Sequence, residues 1–314
     1  MCTVSVIIVS WNARRHLEAC LRSIEAAAPA CVTEIIVVDN ASADGSADCV
    51  AQQFPQVRLV RAGANLGFAR ANNLAMRQAG AESFALVNSD ALVHRGSLET
   101  LAAHLDRHPG VGLVGPRVSG ADGLLQRTCR RLPGPWNTLC RALALDRLLP
   151  GQALFSGYEL PPARHETAHE AEVLSGCFCL ARRAAVEQVG GFDEQFFFYG
   201  EDIDWCKRLR DAGWKIAYLP AATAVHLGGG STAGAPLRFS VEILRATLTY
   251  WRKHHGRAGL WLCRGLLILH HLLRLLPRLV LRGLGLLRSA EARRKLVEDL
   301  TCLRWLCFGT EVAP

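Results

Sequence analysis

Directly after the first apolar run, Val9-Ser10-Trp11-Asn12-Ala13-Arg14 contains no glycine. The tight phosphate-cradling turn of a dinucleotide-binding βαβ unit therefore cannot form there. A P-loop is absent as well, which removes nucleoside triphosphatases of that class. The twelve cysteines include no C-x-x-C pair, and Cys177 and Cys179, alternating on an apolar run, read as small strand side chains rather than zinc ligands. Met1-Cys2-Thr3 carries no basic leader, and the apolar run behind it has only the length of a strand, which predicts a chain working in the reducing cytoplasm. No internal repeat occurs. The first 250 residues also lack any excess of charge, with 24 basic and 24 acidic side chains, whereas Trp251 to Pro314 has 12 and 4, so the whole net charge of +8 sits in the tail. That distribution argues against a nucleic-acid-binding body and for a neutral body with a basic appendage.

What is present is a regular alternation. With 314 residues, 50% of them hydrophobic, the chain can bury the core of one large or two smaller α/β domains. Strands are predicted at Val4 to Val9, Ile35 to Val38, Val57 to Val60, Phe84 to Val87 and Val111 to Val114. Helices are predicted at Arg14 to Ala27, Ala43 to Gln53, Phe68 to Gln78 and Ser97 to His108. This is the pattern of βαβ units around a parallel sheet. Arg130 to Glu172, rich in Pro, Gly and Arg, reads as a long excursion without firm period. Order resumes at Val173 to Ala181, followed by a turn at Gly190-Gly191, a helix from near Glu201 to before Gly213, and a last strand from Lys215 to Leu219 closed by Pro220. Beyond Leu237 the pattern is helical, with breaks expected at Gly256, Pro277 and Gly283 to Gly285.

Three apolar runs or turns end on acids: Glu34-Ile35-Ile36-Val37-Val38-Asp39-Asn40, Phe84-Ala85-Leu86-Val87-Asn88-Ser89-Asp90, and Tyr199-Gly200-Glu201-Asp202-Ile203-Asp204. Parallel strands deliver such carboxylates to the sheet edge where open α/β folds bind ligands, so the three clusters predict one polar site.

Together with Ser5 to Asn12 and Asn65-Leu66-Gly67-Phe68-Ala69, these segments resemble the motif series of family 2 inverting glycosyltransferases, and within it the bacterial rhamnosyltransferase-like branch. The motifs run from Val4 to about Thr232. The resemblance implies an α/β GT-A fold: a Rossmann-like mixed, mainly parallel sheet flanked by helices, over residues 1–235, with a helical extension over 236–314. It also implies a dTDP- or UDP-linked sugar as donor, L-rhamnose among the candidates. Ser10 and Asn12 would line the base and ribose and Asp39 would accept the pyrimidine N3–H, unless Asp39 only caps its turn. Asn65, Gly67 and Arg70 would bring a helix N-terminus and a cation to the ribose or diphosphate, although Arg70 reads equally as a solvated helix residue.

Asn88-Ser89-Asp90 stands where the family has its DxD element, the first acid replaced by an amide. Asp90, with His226 of a later segment, would hold Mg²⁺ or Mn²⁺, Asn88 keeping contact with the donor. Asp202 would be the base that deprotonates the acceptor hydroxyl. Glu201, Asp204 and Trp205 are secondary candidates near the acceptor, the acids doubling as complements to a helix N-terminus and Trp205 as a core side chain. The alternative reading is a nucleotide-sugar-binding or scaffold protein without turnover, suggested by the missing first acid at Asn88.

In the tail, Gly259 to Leu287 is apolar but interrupted by arginine, and no arginine-free run approaches the roughly 20 residues of a spanning helix. Arg257, Arg264, Arg274, Arg278, Arg282 and Arg288 fall within an arc of roughly 140° on a helical wheel. This predicts a helix lying in an anionic membrane interface on the inner face of the plasma membrane, serving a lipid-linked or polysaccharide acceptor; the alternative is a helical pair packed on the protein.

Overall fold

The computed structural model describes residues 2–149, 152–228, 236–286 and 289–309. Its elements are β1 (Val4–Ser10), α1 (Arg14–Ala27), β2 (Val32–Asp39), α2 (Ser46–Gln53), β3 (Arg58–Arg61), α3 (Gly67–Gln78), β4 (Ser83–Asn88), β5 (Ala91–Val93), α4 (Ser97–Arg107) and β6 (Val111–Ser119). There follow β7 (Leu125–Gln126), β8 (Cys129–Arg130), α5 (Pro135–Ala142), α6 (Leu145–Leu148), β9 (His169–Glu170), β10 (Val173–Leu174), β11 (Phe178–Arg182) and α7 (Arg183–Val189). The last elements are α8 (Glu201–Asp211), β12 (Lys215–His226), α9 (Pro236–Gly283) and α10 (Ala290–Phe308).

One unit comprises Met1–Leu132 with Leu160–Ser231, the other Pro133–Glu159 with Thr232–Pro314. This departs from a single break at 235, a position outside the described residues. Part of the irregular excursion belongs with the C-terminal helices, where His270 of α9 donates from Nδ1 to the Arg141 carbonyl oxygen at 3.2 Å.

The first unit is built on a mixed sheet of order β3-β2-β1-β4-β11-β6-β12-β5, mainly parallel, with β11 and β5 antiparallel to their neighbours. The central strands are buried on both faces, as uninterrupted apolar runs require. Val4, Val6 and Ile8 pack toward Leu17, Leu21 and Ile24 of α1 and Leu101 of α4. Ile7, Ile36 and Leu86 point the other way, toward Ala71 and Ala75 of α3 and Trp205 and Leu209 of α8. This is the flanked α/β sheet of the GT-A type.

Three elements differ from the periodicity. The strand expected over Val173 to Ala181 is split into β10 and β11 by Ser175, Gly176 and Cys177. The short β5 turns straight back after Asp90. The last strand does not stop at Pro220: the ladder to β6 breaks between Leu219 and Thr223, loops out the intervening residues, and resumes from Thr223 to Val225, the strand running on to His226. A proline cannot donate to a ladder, and a bulge is how a strand accommodates one.

In the second unit, non-helical backbone at Gly256 (φ 67°, ψ −166°) breaks α9 where expected. Pro277 lies inside a helix that continues to Gly283. α9 packs on α10 through Leu244, Leu267, Ile268, Cys302 and Leu306. Arg264 donates to the Leu306 carbonyl oxygen and Arg278 pairs with Asp299, so these arginines face the neighbouring helix rather than water. Leu272, Leu273, Leu276, Leu279 and Val280 are exposed instead. The predicted segregation is present, but it is the leucines that lie open. Arg288 is outside the described residues. By length and composition alone, Leu237–Gly283 is sufficient to cross a membrane.

Candidate active site

The sheet assembles the site by register. Ser10 is paired with Asp39, and Val9 with Asn88, so the ends of β1, β2 and β4 present these side chains in one row at the carboxyl edge. β12 runs in the same direction and is joined antiparallel by β5, with His226 opposite Ala91. The Leu227 amide donates to the Asp90 carbonyl oxygen at 2.9 Å, which fixes His226 against Asp90.

Two atoms in this row have no partner. The Ser10 hydroxyl and Oδ1 of Asp39 are both buried and make no hydrogen bond. The other Asp39 oxygen accepts from the Ser42 amide at 3.3 Å. Asp39 therefore caps its turn with one oxygen and holds the second for something else. A buried carboxylate oxygen without a donor costs about 1–3 kcal/mol, more when charged, so the pair marks a place where a ligand N–H or O–H completes the bonding.

Farther along the edge, Nε2 of His226 lies 3.1 Å from Oδ1 of Asp90 and 3.3 Å from the side-chain nitrogen of Asn88. Gln126 donates to the His226 carbonyl oxygen at 2.7 Å, which turns its own Oε1 to Nδ1 of the ring at 2.9 Å. Nδ1 then carries a proton, so Nε2 is the nitrogen that faces the Asp90 carboxylate and can either donate a second proton to it or take a metal. Burial pushes the Asp90 carboxyl up, but the hydrogen bond and charge of His226 outweigh it and hold it below the usual range. A divalent cation displacing the proton shared by this pair would be held by both atoms. Neighbouring ligands of an octahedral divalent ion at about 2.1 Å are about 3.0 Å apart, close to the spacing present. One carboxylate and one imidazole suit Mg²⁺ or Mn²⁺ with donor phosphates filling the rest, and Asn88, whose amide nitrogen faces His226, could add its oxygen by turning its amide over. Among the described residues no group of three or more His, Cys, Asp or Glu is arranged around a metal position, so such an ion would depend on the substrate's oxygens.

The Asn65 segment behaves differently from expectation. Asn40 donates to Oδ1 of Asn65 at 2.9 Å and accepts from the Leu66 amide at 2.8 Å; Oδ1 of Asn65 also receives the Gly67 amide at 3.0 Å. The Phe68 amide donates to the Phe197 carbonyl oxygen at 3.0 Å. The first amides of α3 are thus taken by protein acceptors, not offered to a diphosphate. Gly67, at φ 77°, is required here, since a Cβ would sit 2.4 Å from the Phe197 carbonyl oxygen. Arg70 pairs with Glu194 at 2.9 Å rather than lining the donor pocket. With Asn73, which bonds Phe192 in both directions, these residues fasten the loop before α8 to α3. Asn12 likewise links turns, its side-chain oxygen accepting from Ala43 at 2.8 Å.

That loop aims the first turn of α8. Asp202 is half-buried, accepting from the Ile203 amide at 2.8 Å and the Gly176 amide at 3.4 Å, with lone pairs to spare. Glu201 is buried, one oxygen unpartnered, and burial followed by the charge of Asp202 pushes its carboxyl well above the usual range. Burial thus favours the uncharged form of Glu201, and Asp202, half-buried, is the better placed of the two to take a proton from an acceptor. The folded protein then binds a proton that the unfolded chain releases, and this costs stability as pH rises. Glu201→Gln should raise the melting temperature at pH 8, with the difference fading below the ordinary carboxylate range; thermal melts at both pH values check this.

Asp204 and Trp205 are not placed for an acceptor. Asp204 is fully buried and pairs with Arg208 at 2.8 Å, whose other nitrogens donate to the carbonyl oxygens of Val189 and Gly191. Trp205 is enclosed too, bonded to the Gly190 carbonyl oxygen at 3.0 Å and tilted against Phe192. Both hold the loop. Asp204→Ala should cost about 2 kcal/mol by removing the buried partner of a partly buried guanidinium, which keeps its bonds to the loop carbonyls, read by denaturant unfolding.

The family model described as glycosyl transferase family 2 matches residues 5–190. The chain belongs to glycosyl transferase family 2. A second model, described as the N-terminal domain of galactosyltransferase, matches residues 164–227, the stretch that carries Asp202 and His226. Over 311 residues the chain is 32% identical to the N-acetylglucosaminyl-diphospho-decaprenol L-rhamnosyltransferase of Mycobacterium tuberculosis, covering 93% of this chain and 97% of that one. It is also 25% identical over 227 residues to a low-salt glycan biosynthesis hexosyltransferase of Haloferax volcanii, covering 71% and 66%. Among solved structures, a mannosyltransferase of Pyrobaculum calidifontis in complex with GDP-mannose and Mn²⁺ superposes with a TM-score of 0.57 at 18% identity, over 99% of this chain and 88% of that one. The fold is that of GT-A glycosyltransferases, and this family member is a glycosyltransferase of the rhamnosyltransferase-like branch.

Proposed function

We propose that the protein transfers L-rhamnose, with inversion, from a dTDP-linked donor to a lipid-diphosphate-linked sugar, acting at the cytoplasmic membrane surface with a divalent cation. The observation that carries this reading is the row of unpartnered Ser10 and Asp39 oxygens beside the Asp90–His226 pair. Buried acceptors suit the imide N–H of a thymine or uracil base, and the cluster next along the edge suits the diphosphate that follows the base in such a donor. The choice of sugar and acceptor rests on the printed activity of the mycobacterial relative, which aligns along nearly the whole chain.

Asn88, Asp90 and His226 would hold the cation, which when bound neutralises charge developing on the departing diphosphate. Asp202 takes the proton of the acceptor hydroxyl as that oxygen attacks the anomeric carbon on the face opposite the diphosphate. One displacement of this kind inverts the configuration and needs no covalent intermediate on the protein. Burial disfavours charge on Glu201 and Asp204 is taken by Arg208, which leaves Asp202 as the carboxylate of that turn open to an acceptor, and the exposed leucines of α9 supply an apolar face suited to a membrane-bound acceptor. NMR of the product formed from dTDP-β-L-rhamnose tests the stereochemistry: an α-linked product is expected, and a retained β-linkage would refute the single displacement.

A further inference from the structure

The second unit brings several cations together along α9 and α5. His270, Arg274 and Arg278 follow one another at one-turn spacing on α9, and the His270 bond to the Arg141 carbonyl seats this ridge on α5. Arg278 is neutralised by Asp299, which His271 also contacts at 2.9 Å. His270 is pushed down to about 4, first by burial and then by Arg274, and adds no charge at neutral pH. Arg274 has no such counterpart. It is half-buried, and Arg147, Arg141 and Arg278 oppose its charge more strongly than Asp146 supports it. The Arg141 guanidinium lies over the face of Tyr158, 5.5 Å from the ring centre. Half-burying a guanidinium among like charges is unfavourable unless an anion joins them.

The same elements expose apolar side chains: Leu148 and Leu149 at the end of α6, and Leu272, Leu273 and Leu276 on α9. A cationic cluster bordered by leucines complements a ligand with a multiply charged head on a hydrocarbon chain. Arginine is the residue suited to phosphate, because its planar fork donates two parallel hydrogen bonds.

We infer that Arg141, Arg147 and Arg274 form a binding site for the diphosphate of an isoprenoid-diphosphate acceptor, the leucines taking the first part of its hydrocarbon chain. This rests on the proposed lipid-linked acceptor but is tested without turnover. Farnesyl diphosphate is titrated calorimetrically into the full chain, and into Arg147→Ala/Arg274→Ala. Arg257→Ala removes a charge from α9 elsewhere and serves as control.

The wild type and the control should bind farnesyl diphosphate, and the double variant about tenfold or more weaker. Farnesol should bind none of them comparably. All three proteins should sediment equally with vesicles of phosphatidylglycerol and phosphatidylcholine. Equal farnesyl diphosphate binding by the double variant and the wild type would overturn the site. So would an equal loss in Arg257→Ala, or a parallel loss of vesicle binding in the double variant, which would assign the arginines to general headgroup attraction. Failure of sugar transfer with farnesyl diphosphate binding intact would count against the proposed reaction and not against this site.

Discussion

Asp202→Asn should lower kcat by about a thousandfold, within the span that a positioned general base contributes. The substitution keeps the size of the side chain and one oxygen that can accept from the Ile203 amide, giving up only the longer 3.4 Å contact to the Gly176 amide, so the first turn of α8 should stay in place. Donor affinity should therefore be unchanged. The rate deficit should narrow as pH rises, because hydroxide then assists removal of the acceptor proton. Burial disfavours charge on Glu201 and makes it a poor substitute base, and Glu201→Gln should retain most activity. Steady-state kinetics over pH 6 to 10 with a saturating donor measures these effects; a fall in donor affinity alone, at unchanged kcat, would remove Asp202 from the proton transfer.

The second large effect concerns Asp90. Its loss leaves Nε2 of His226 and the Asn88 amide facing an incoming cation without any protein carboxylate. Outer-shell partners of metal ligands are already worth about 10- to 100-fold, so Asp90→Ala should weaken Mn²⁺-dependent donor binding by about 100-fold or more. Without Mn²⁺ the variant should bind the donor no worse than the wild type. Gln126→Ala, which frees the His226 ring to adopt the other tautomer, should weaken the Mn²⁺-dependent part about tenfold. Calorimetric titration with and without Mn²⁺ measures both. Equal losses in the absence of the metal would mean that Asp90 contacts the nucleotide directly.

The sheet and the acids at its edge were readable because each central strand is an apolar run ending abruptly on a polar residue, and a parallel strand can only put that residue at the carboxyl edge. His226 was readable only through the family resemblance. The local pattern ends the last strand at Pro220, and nothing local reveals that the ladder resumes after the bulge. Gln126 was missed for the same reason, since its role depends on a contact to a residue 100 positions away. Asn40, Asn65, Arg70 and Phe197 form a set that sequence spacing cannot separate from ligand binding. Asparagine, glycine and arginine before a helix suit an anion as well as a neighbouring loop, and here the loop takes them. Asp204 and Trp205 were ambiguous because three acids and an aromatic in one turn do not say which side faces the core.

Titration of the purified protein with dTDP-L-rhamnose in the presence and absence of Mn²⁺, beside Asp39→Ala, is the decisive measurement. Metal-dependent binding that is lost when Asp39 no longer offers its free oxygen is the predicted result. Wild-type binding that Asp39→Ala leaves intact would contradict a nucleotide site at the carboxyl edge of β1, β2 and β4.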